Sequence, residues 1–322
     1  MSGLGKRLRR MMSCEYWVIA YRKRGAGQSI LQGGMQTGFH LLPQRRYITQ
    51  ADPFLYTCQG DTWLFYEKQN LTDMRGTLWC LNLDDPADKP RLVLNEPFHL
   101  SYPQVFSYGR DMYMIPETRN AGEVRLYRCE RFPDHWVCMD RILPLSAVDT
   151  TVMPAQMVSS VSDDGDISGI FFAFTYTAGC LELYVLEVER ESFRIVRKEK
   201  IYASPPSKTL RPGGAIFVED GRVYRPAQDC RDYYGQALII NEIERLDREG
   251  FSEREVCSLE PSRFPLRGVR AVGIHTYNCN EQYEVIDLLH REISVRTILK
   301  KVEWKIRNRL AGADCSGKTK RA

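Results

Sequence analysis

A signature recurs in this chain at intervals of about fifty residues, and few folds can be built from such a repeat. "ADPFLYTCQGDTWLFYE" begins at Ala51 and "SYPQVFSYGRDMYMIPE" at Ser101. Each has a Pro two residues in, a Gly turn and an aromatic second run. A third unit, "VDTTVMPAQMVSSVSDDGDISGIFFAFTY", opens at Val148 with a longer turn. A fourth, "LRPGGAIFVEDGRVYRPAQD", opens at Leu210, and "VGIHTYN" at Val272 opens a fifth. The starts lie 47 to 62 residues apart, the length of four short strands with their connections, and repeats of this period are the mark of a propeller. Five units predict an all-β chain folded as a five-bladed β-propeller. A β-sandwich accommodates the same short strands but does not explain why one signature recurs at each start.

Composition agrees and narrows the class. An apolar fraction of 43% suffices for a core, and 17 Tyr with 13 Phe favour strands. No apolar run approaches the roughly 18–20 residues of a membrane span. The basic opening is followed by "YWVIAY", too short for a signal-peptide core, so an intracellular, cytoplasmic protein is expected. The ten cysteines include no CxxC pair and no Cys/His cluster at zinc spacing. Reduced thiols are therefore expected, with no metal and no cofactor.

Charge is distributed unevenly. Residues 1–24 hold seven Lys/Arg against one acid and residues 290–322 hold ten against three, while the whole chain is only +4. The body between them is net acidic, which excludes a domain-wide nucleic-acid footprint. Near the C-terminus Val295, Ile298, Leu299, Val302, Ile306 and Leu310 follow helical spacing among Lys and Arg residues. The expected organisation is a basic tail over 1–14, the propeller over 15–290, a basic amphipathic helix over 291–310 and a disordered tail over 311–322. The helix either packs on the propeller or lies on an anionic membrane surface with Trp304 near the headgroups.

The hairpin "HLSYPQVFSYGRDMYMIPET", His99 to Thr118, locates the chemistry. A structural hairpin does not need a carboxylate directly after a proline at the end of its second strand, yet Glu117 stands there. In a propeller the start of a blade's first strand and the end of its second share one rim of the central channel. That places Asp52 and Glu67 from the first unit, Gln104 and Glu117 from the second, and Asp149 from the third around one funnel. The fourth unit adds Arg211, Arg225, Gln228 and Asp229, and the fifth adds His275. Carboxylates gathered in one concave site suit acid–base work at an anomeric centre. The two arginines suit an anionic sugar donor. The competing structural readings are turn capping for Asp52 and Asp149, a closing network of Arg211 and Arg225 with Asp229 or Glu67, and a buried hydrogen-bonded role for His275.

"ADPFL" with its turn and aromatic strand resembles the first blade of the arabinanase/xylosidase clan of five-bladed glycoside hydrolases. More closely, "ADPFLY…WLFYE", "HLSYPQVF…YMIPET", "RPGGAIF…YRPAQDC" and "GIHTYN" together resemble the N-terminal domain of plant glucosamine inositolphosphorylceramide transferases, over roughly residues 15–290. The clan resemblance implies that Asp52 is a catalytic base. Where the clan carries an Asp that tunes the acid, this chain has Gln104. Where it carries a Glu acid, the nearest residue is Asp149, and Glu117 is the substitute acid. The expected function is glycosyl transfer in surface-polysaccharide or glycolipid biosynthesis, with a nucleotide- or lipid-phosphate-linked sugar donor and a glycan or glycolipid acceptor. Asp52, Glu117 and Asp149 are the catalytic candidates; Gln104, Arg211, Arg225, Gln228, Asp229 and His275 are the substrate-binding ones. The alternatives are a glycoside hydrolase using the same carboxylates and a non-catalytic carbohydrate-binding propeller.

Overall fold

The computed structural model describes residues 12–25, 29–70, 74–158 and 169–316, with side chains to residue 306. The chain is a five-bladed β-propeller with one C-terminal helix. Blade one is β3 (Ile48–Cys58), β4 (Asp61–Asn70), β5 (Gly76–Asn82) and β6 (Arg91–Leu94). Blade two is β7 (Ser101–Tyr108), β8 (Asp111–Glu117), β9 (Val124–Arg131) and β10 (His135–Leu143). Blade three is β11 (Val148–Pro154), β12 (Ile170–Thr177), β13 (Cys180–Val188) and β14 (Ile195–Ala203). In blade four the inner strand is broken into β15 (Arg211–Pro212) and β16 (Phe217–Glu219), both on β17 (Arg222–Asp229), followed by β18 (Ala237–Asp247) and β19 (Gly250–Leu259). Blade five joins the two ends of the fold: β20 (Ala271–Cys279) pairs with β21 (Tyr283–Ile293), β21 with β1 (Ser13–Lys23), and β1 with β2 (His40–Leu41).

Each pair of neighbouring blades buries its own apolar layer. Phe65, Leu78 and Met114 fill the space between blades one and two. Ile115, Val152 and Phe171 fill the next, and Phe172, Leu183 and Ile243 the one after. Tyr16, Leu238 and Ile274 join blades four and five, and Ile19, Leu64 and Val285 join five and one. Tyr113 and Tyr224 lie in these layers. The described cysteines, Cys14 to Cys279, are all free thiols.

The repeat has a backbone cause. Its second residue takes a left-handed conformation in three blades: φ is 49° at Asp52, 50° at Tyr102 and 50° at Asp149. The strand ladder skips there in each case, from Ala51↔Glu67 to Phe54↔Phe65, from Ser101↔Glu117 to Gln104↔Ile115, and from Val148↔Tyr176 to Thr151↔Phe174. Such bulges re-aim side chains at the end of a strand. The prolines that follow in blades one and two have no N–H, so the bulge there forfeits no ladder donor. In blade four Gly214 makes the break at φ +143°, with its Cα so close to blade five that a Cβ would lie 1.9 Å from the Tyr277 carbonyl oxygen.

The helix α1 runs Val295–Ser316, past residue 310 where the sequence pattern ends it, and residues 317–322 lie outside the described part. The basic tail expected over 1–14 also falls outside it up to residue 11. Trp304 does not face away from the propeller as a membrane anchor would. It packs edge-on against Tyr47 at 6.0 Å, and the Tyr47 hydroxyl meets Thr297 Oγ1 at 3.3 Å. Gly214→Ala is expected to cost about 3 kcal/mol or more of stability, since it adds both a clash and a strained φ. Urea denaturation against wild type measures it; a loss under about 1 kcal/mol would contradict the close approach of blades four and five.

Candidate active site

Ladder register puts the start of each inner strand opposite the end of the second, so Glu67 faces Ala51 and Glu117 faces Ser101 at one rim. Two clusters form there. In the first, Asp52, His275 and Asp287 stand in a row. His275 Nδ1 lies 2.7 Å from Asp287 Oδ1, and His275 Nε2 lies 3.5 Å from Asp52 Oδ1. Asp287 also accepts the backbone N–H groups of Asp52 at 2.9 Å and Thr276 at 2.9 Å. Asp52 accepts the Thr276 hydroxyl at 3.0 Å and the Tyr102 N–H at 3.3 Å. The imidazole lies flat beneath Trp17, with ring centroids 3.7 Å apart and planes 8° from parallel. Gly235 permits this stack: at φ +68° it passes so close that a Cβ would sit 2.7 Å from the Trp17 ring.

The second cluster is Glu117, Asp149, Arg211 and Gln228. Arg211 Nε donates a short hydrogen bond to Asp149 Oδ2, and its other arm lies 3.7 Å from Glu117 Oε2. Gln228 Nε2 donates to the same Asp149 oxygen at 2.8 Å and to the Pro212 carbonyl at 2.8 Å. Glu117 Oε2 is buried without a hydrogen-bond partner. The Arg211 guanidinium lies 4.9 Å from the centre of the Tyr234 ring, whose edge meets His275 at 5.3 Å. The inner face is filled by Tyr102, whose hydroxyl joins Thr151 at 2.8 Å and accepts the Gly214 N–H at 2.8 Å.

Electrostatics separates the roles. Five carboxyl groups with little exposure, Asp52, Glu67, Glu117, Asp149 and Asp287, face one guanidinium and two imidazoles, His275 and, 3.6 Å from Glu67, His99, so they cannot all ionise cheaply. Burial raises Asp52 from 3.8 to about 6, with Asp149 and Asp287 adding to the shift and His275 opposing it. Burial and the neighbouring Asp149 hold Glu117 well above the usual carboxylate range, against the pull of Arg211. Burial, then Asp52 and Glu117, do the same to Glu67. Burial disfavours charge on His275, but Asp287 and Asp52 outweigh it and its pKa is raised. The site therefore holds carboxyls that keep a proton beside one that loses it near pH 6.

The placement of the sequence candidates is mixed. Asp52, Glu117, Asp149, Arg211, Gln228 and His275 come together. Gln104 does not offer its amide to a ligand: Nε2 donates to the Val152 carbonyl and Oε1 accepts the Val152 N–H, both at 2.8 Å, tying blade two to blade three. Arg225 and Asp229 belong elsewhere, because strand pleat sends residues 225 and 228 to opposite faces. Arg225 is buried in a two-point ion pair with Glu253 of β19. Asp229 is held by Arg231 at 2.7 Å, which with its other hydrogen bonds lowers its pKa despite the cost of burial. The sequence reading missed Asp287, Thr276, Trp17 and Tyr234. A lone Asp in the apolar run "YEVIDLLH" was a readable signal for the first; nothing local marks Trp17.

Asp52, His275 and Asp287 also place one ligand atom each within 4.8 Å of one another, a spacing that no sequence motif announces and that suits a metal ion. A cation there would have to displace the Nδ1–Asp287 hydrogen bond and share the Asp287 oxygens with three backbone N–H groups. The donors fit the hydrogen-bonded relay better than a coordination sphere.

Residues 46–272 match the family model described as glucosamine inositolphosphorylceramide transferase 1, N-terminal. The chain belongs to that family. It is 34% identical over 236 residues to glucosamine inositolphosphorylceramide transferase 1 of Arabidopsis thaliana, covering 72% of this chain but 30% of that protein. The chain thus spans under a third of the length of this curated relative. Among solved structures the fold is similar to an α-L-arabinofuranosidase from Podospora anserina determined with cellotriose, at a TM-score of 0.51 and 13% identity over 73% of this chain and 78% of that one. It is also similar to the RS223 β-xylosidase, at a TM-score of 0.50 and 9% identity over 74% and 91%. These last two establish the fold alone.

The Arg225–Glu253 pair separates a structural from a binding role. Arg225→Ala strands a buried carboxylate and is expected to lose about 3–5 kcal/mol, whereas Arg225→Met with Glu253→Leu should recover most of it. Chemical denaturation of the three proteins tests this; equal losses in the single and double variants would contradict the pairing.

Proposed function

We propose that this propeller is a carbohydrate-active domain that carries out glycosyl transfer in glycolipid or surface-polysaccharide biosynthesis. The supporting observation is Glu117: a largely buried carboxyl whose Oε2 makes no hydrogen bond and whose pKa is held well above the usual carboxylate range by burial and Asp149. Such a group is suited to deliver a proton to a leaving glycosidic oxygen. Asp52, ionised above about pH 6, accepts the proton of the attacking hydroxyl. Asp287 orients His275 and His275 backs Asp52, while Asp149, Gln228 and Arg211 hold Glu117 in place. The partners in this reading are a nucleotide- or lipid-phosphate-linked sugar donor and a glycan or glycolipid acceptor, in keeping with the transferase name of the curated relatives.

One observation favours hydrolysis as a second reading. The arginines expected to hold an anionic donor are occupied, Arg211 by Asp149 and Glu117 and Arg225 by Glu253. A neutral sugar suits such a funnel better than a charged one. Turnover of nucleotide sugars, lipid-phosphate sugars and aryl glycosides, with product analysis, distinguishes the two. In either case Glu117→Gln should lower the rate about 10²–10⁴-fold, and kcat/KM should fall as pH drops below about 6, where Asp52 takes up its proton. Activity unchanged in Glu117→Gln would remove the acid assignment, and an acid limb near pH 4 would remove Asp52.

We extend the proposal to location: α1 docks the domain on an anionic membrane surface at the cytoplasmic face. At 100° per residue Val295, Leu299, Val302 and Ile306 share one stripe, and they are 66%, 71%, 50% and 53% exposed. Arg296 and Lys305 flank the stripe on either side, complementary to anionic lipid. No described helix is long and apolar enough to cross a membrane. Sedimentation with phosphatidylserine vesicles should capture the wild type and release Leu299→Glu/Ile306→Glu. Equal binding to neutral vesicles, or dimerisation lost in the variant, would assign the stripe to another occupant.

A further inference from the structure

Blade one carries a second concave feature, behind the funnel. Gln50 and Lys68 are direct cross-strand partners, one rung from Ala51↔Glu67. Adjacent rungs point to opposite faces of a sheet, so where Glu67 meets the carboxyl cluster, Lys68 and Gln50 face away from it. They line a groove of about 600 Å³ with Gln44, Arg45, Ile48 and Trp79.

The cations of that groove are unlike the buried and half-buried arginines of the propeller. Arg22, Arg24, Arg211 and Arg225 are each paired with a carboxylate. Among the described residues neither Arg45 nor Lys68 has such a partner, and no carboxylate lines the groove. The two cations repel each other: burial and then Arg45 lower the Lys68 pKa. Lys68 Nζ lies 4.0 Å from the Trp79 ring centre. The indole is locked, its Nε1 donating to Thr77 Oγ1 at 2.9 Å while that hydroxyl donates to the Lys68 carbonyl at 3.1 Å. Gln44 Oε1 and Gln50 Oε1 are buried with no hydrogen-bond partner, and Gln50 is only 4% exposed.

Each feature asks for a different part of one ligand. Unpaired cations side by side attract an anion with several oxygens. Buried carbonyl oxygens without donors cost stability until a hydroxyl reaches them. An indole held rigid beside them gives the groove an apolar wall. We propose that this groove binds a phosphorylated sugar or cyclic polyol, its phosphate on Arg45 and Lys68 and its hydroxyls on Gln44 and Gln50. The site stands independently of whether the funnel is catalytic, and it supplies the anion-holding function that Arg211 and Arg225 do not.

The test is titration calorimetry of the full chain with glucose 6-phosphate, glucose and inorganic phosphate, alongside flotation with phosphatidylinositol in phosphatidylcholine vesicles. Glucose 6-phosphate should bind at least tenfold more tightly than either fragment, and Lys68→Met and Arg45→Met should each weaken it tenfold or more. Gln50→Glu should abolish binding with the fold intact, since the new carboxylate pairs with Lys68. Capture by the phosphatidylinositol vesicles with no binding of the free sugar phosphate, lost in the same variants, supports the site and assigns it to a lipid headgroup. Because α1 offers a separate membrane contact, flotation is also run on the Leu299→Glu/Ile306→Glu background. Glucose bound as tightly as its phosphate, or sugar-phosphate binding untouched by the three groove variants, would overturn the proposal. Absence of binding in both arms would overturn it as well.

Discussion

The site rests on a backbone constraint that recurs around the ring. The second residue of the repeat turns left-handed in blades one, two and three. Ordinary residues adopt that conformation at a cost of order 1 kcal/mol or more each, so the surrounding blades must enforce it. The return is geometric. A regular strand would alternate its side chains between neighbouring blades, whereas the bulge turns Asp52, Tyr102 and Asp149 toward partners on other blades. Asp52 meets Thr276, Tyr102 meets Thr151 and Gly214, and Asp149 meets Arg211 and Gln228. The same bonds that join blades across the axis therefore also position the reactive groups.

That arrangement has an electrostatic consequence. A propeller concentrates strand starts from every blade at one place, and here those positions are rich in acid. The fold tolerates the concentration by three means: protons retained on Glu67 and Glu117, the Arg211 guanidinium between Asp149 and Glu117, and an imidazole between Asp52 and Asp287. Arg211 is thus part of what keeps the site together, and its charge is largely spent. The anion-binding capacity that a phosphorylated ligand requires is better matched by the cations on the far side of the same hairpin, Lys68 and the neighbouring Arg45.

Much of this was legible in the sequence, for an identifiable reason. The repeat is read from turn glycines and aromatic runs, which are local features, and the rim positions follow from antiparallel pairing without any tertiary detail. Asp52, Glu117 and Asp149 were found that way. What failed was everything decided by side-chain direction or by distant partners. Arg225 and Gln228 sit three residues apart in "RPAQD", and only the pleat tells that one reaches Glu253 and the other Asp149. Gln104 looked like a ligand contact because its polarity was visible and its partner, the Val152 backbone, was not. Trp17 could not be placed until the first strand was known to complete the last blade. The periodicity of α1 was plain, but which of its faces meets Tyr47 was not, so the side taken by Trp304 stayed open between the propeller and a membrane.

The pairing of β1 with β21 over its full length, Ser13↔Ile293 to Lys23↔Tyr283, has a bearing on how the molecule is made. During synthesis β1 has only the two-residue β2 to pair with until β21, some 260 residues later, has been made, so the ring cannot close before that point. Until then β1 and the unfinished fifth blade present open strand edges, which invite pairing with other chains. Such a long-range closure also makes for a slow final step. The apolar seam formed by Ile19, Leu64 and Val285 cannot be completed before β21 is made. The yield of folded protein should accordingly depend on keeping those edges from other chains until β21 arrives.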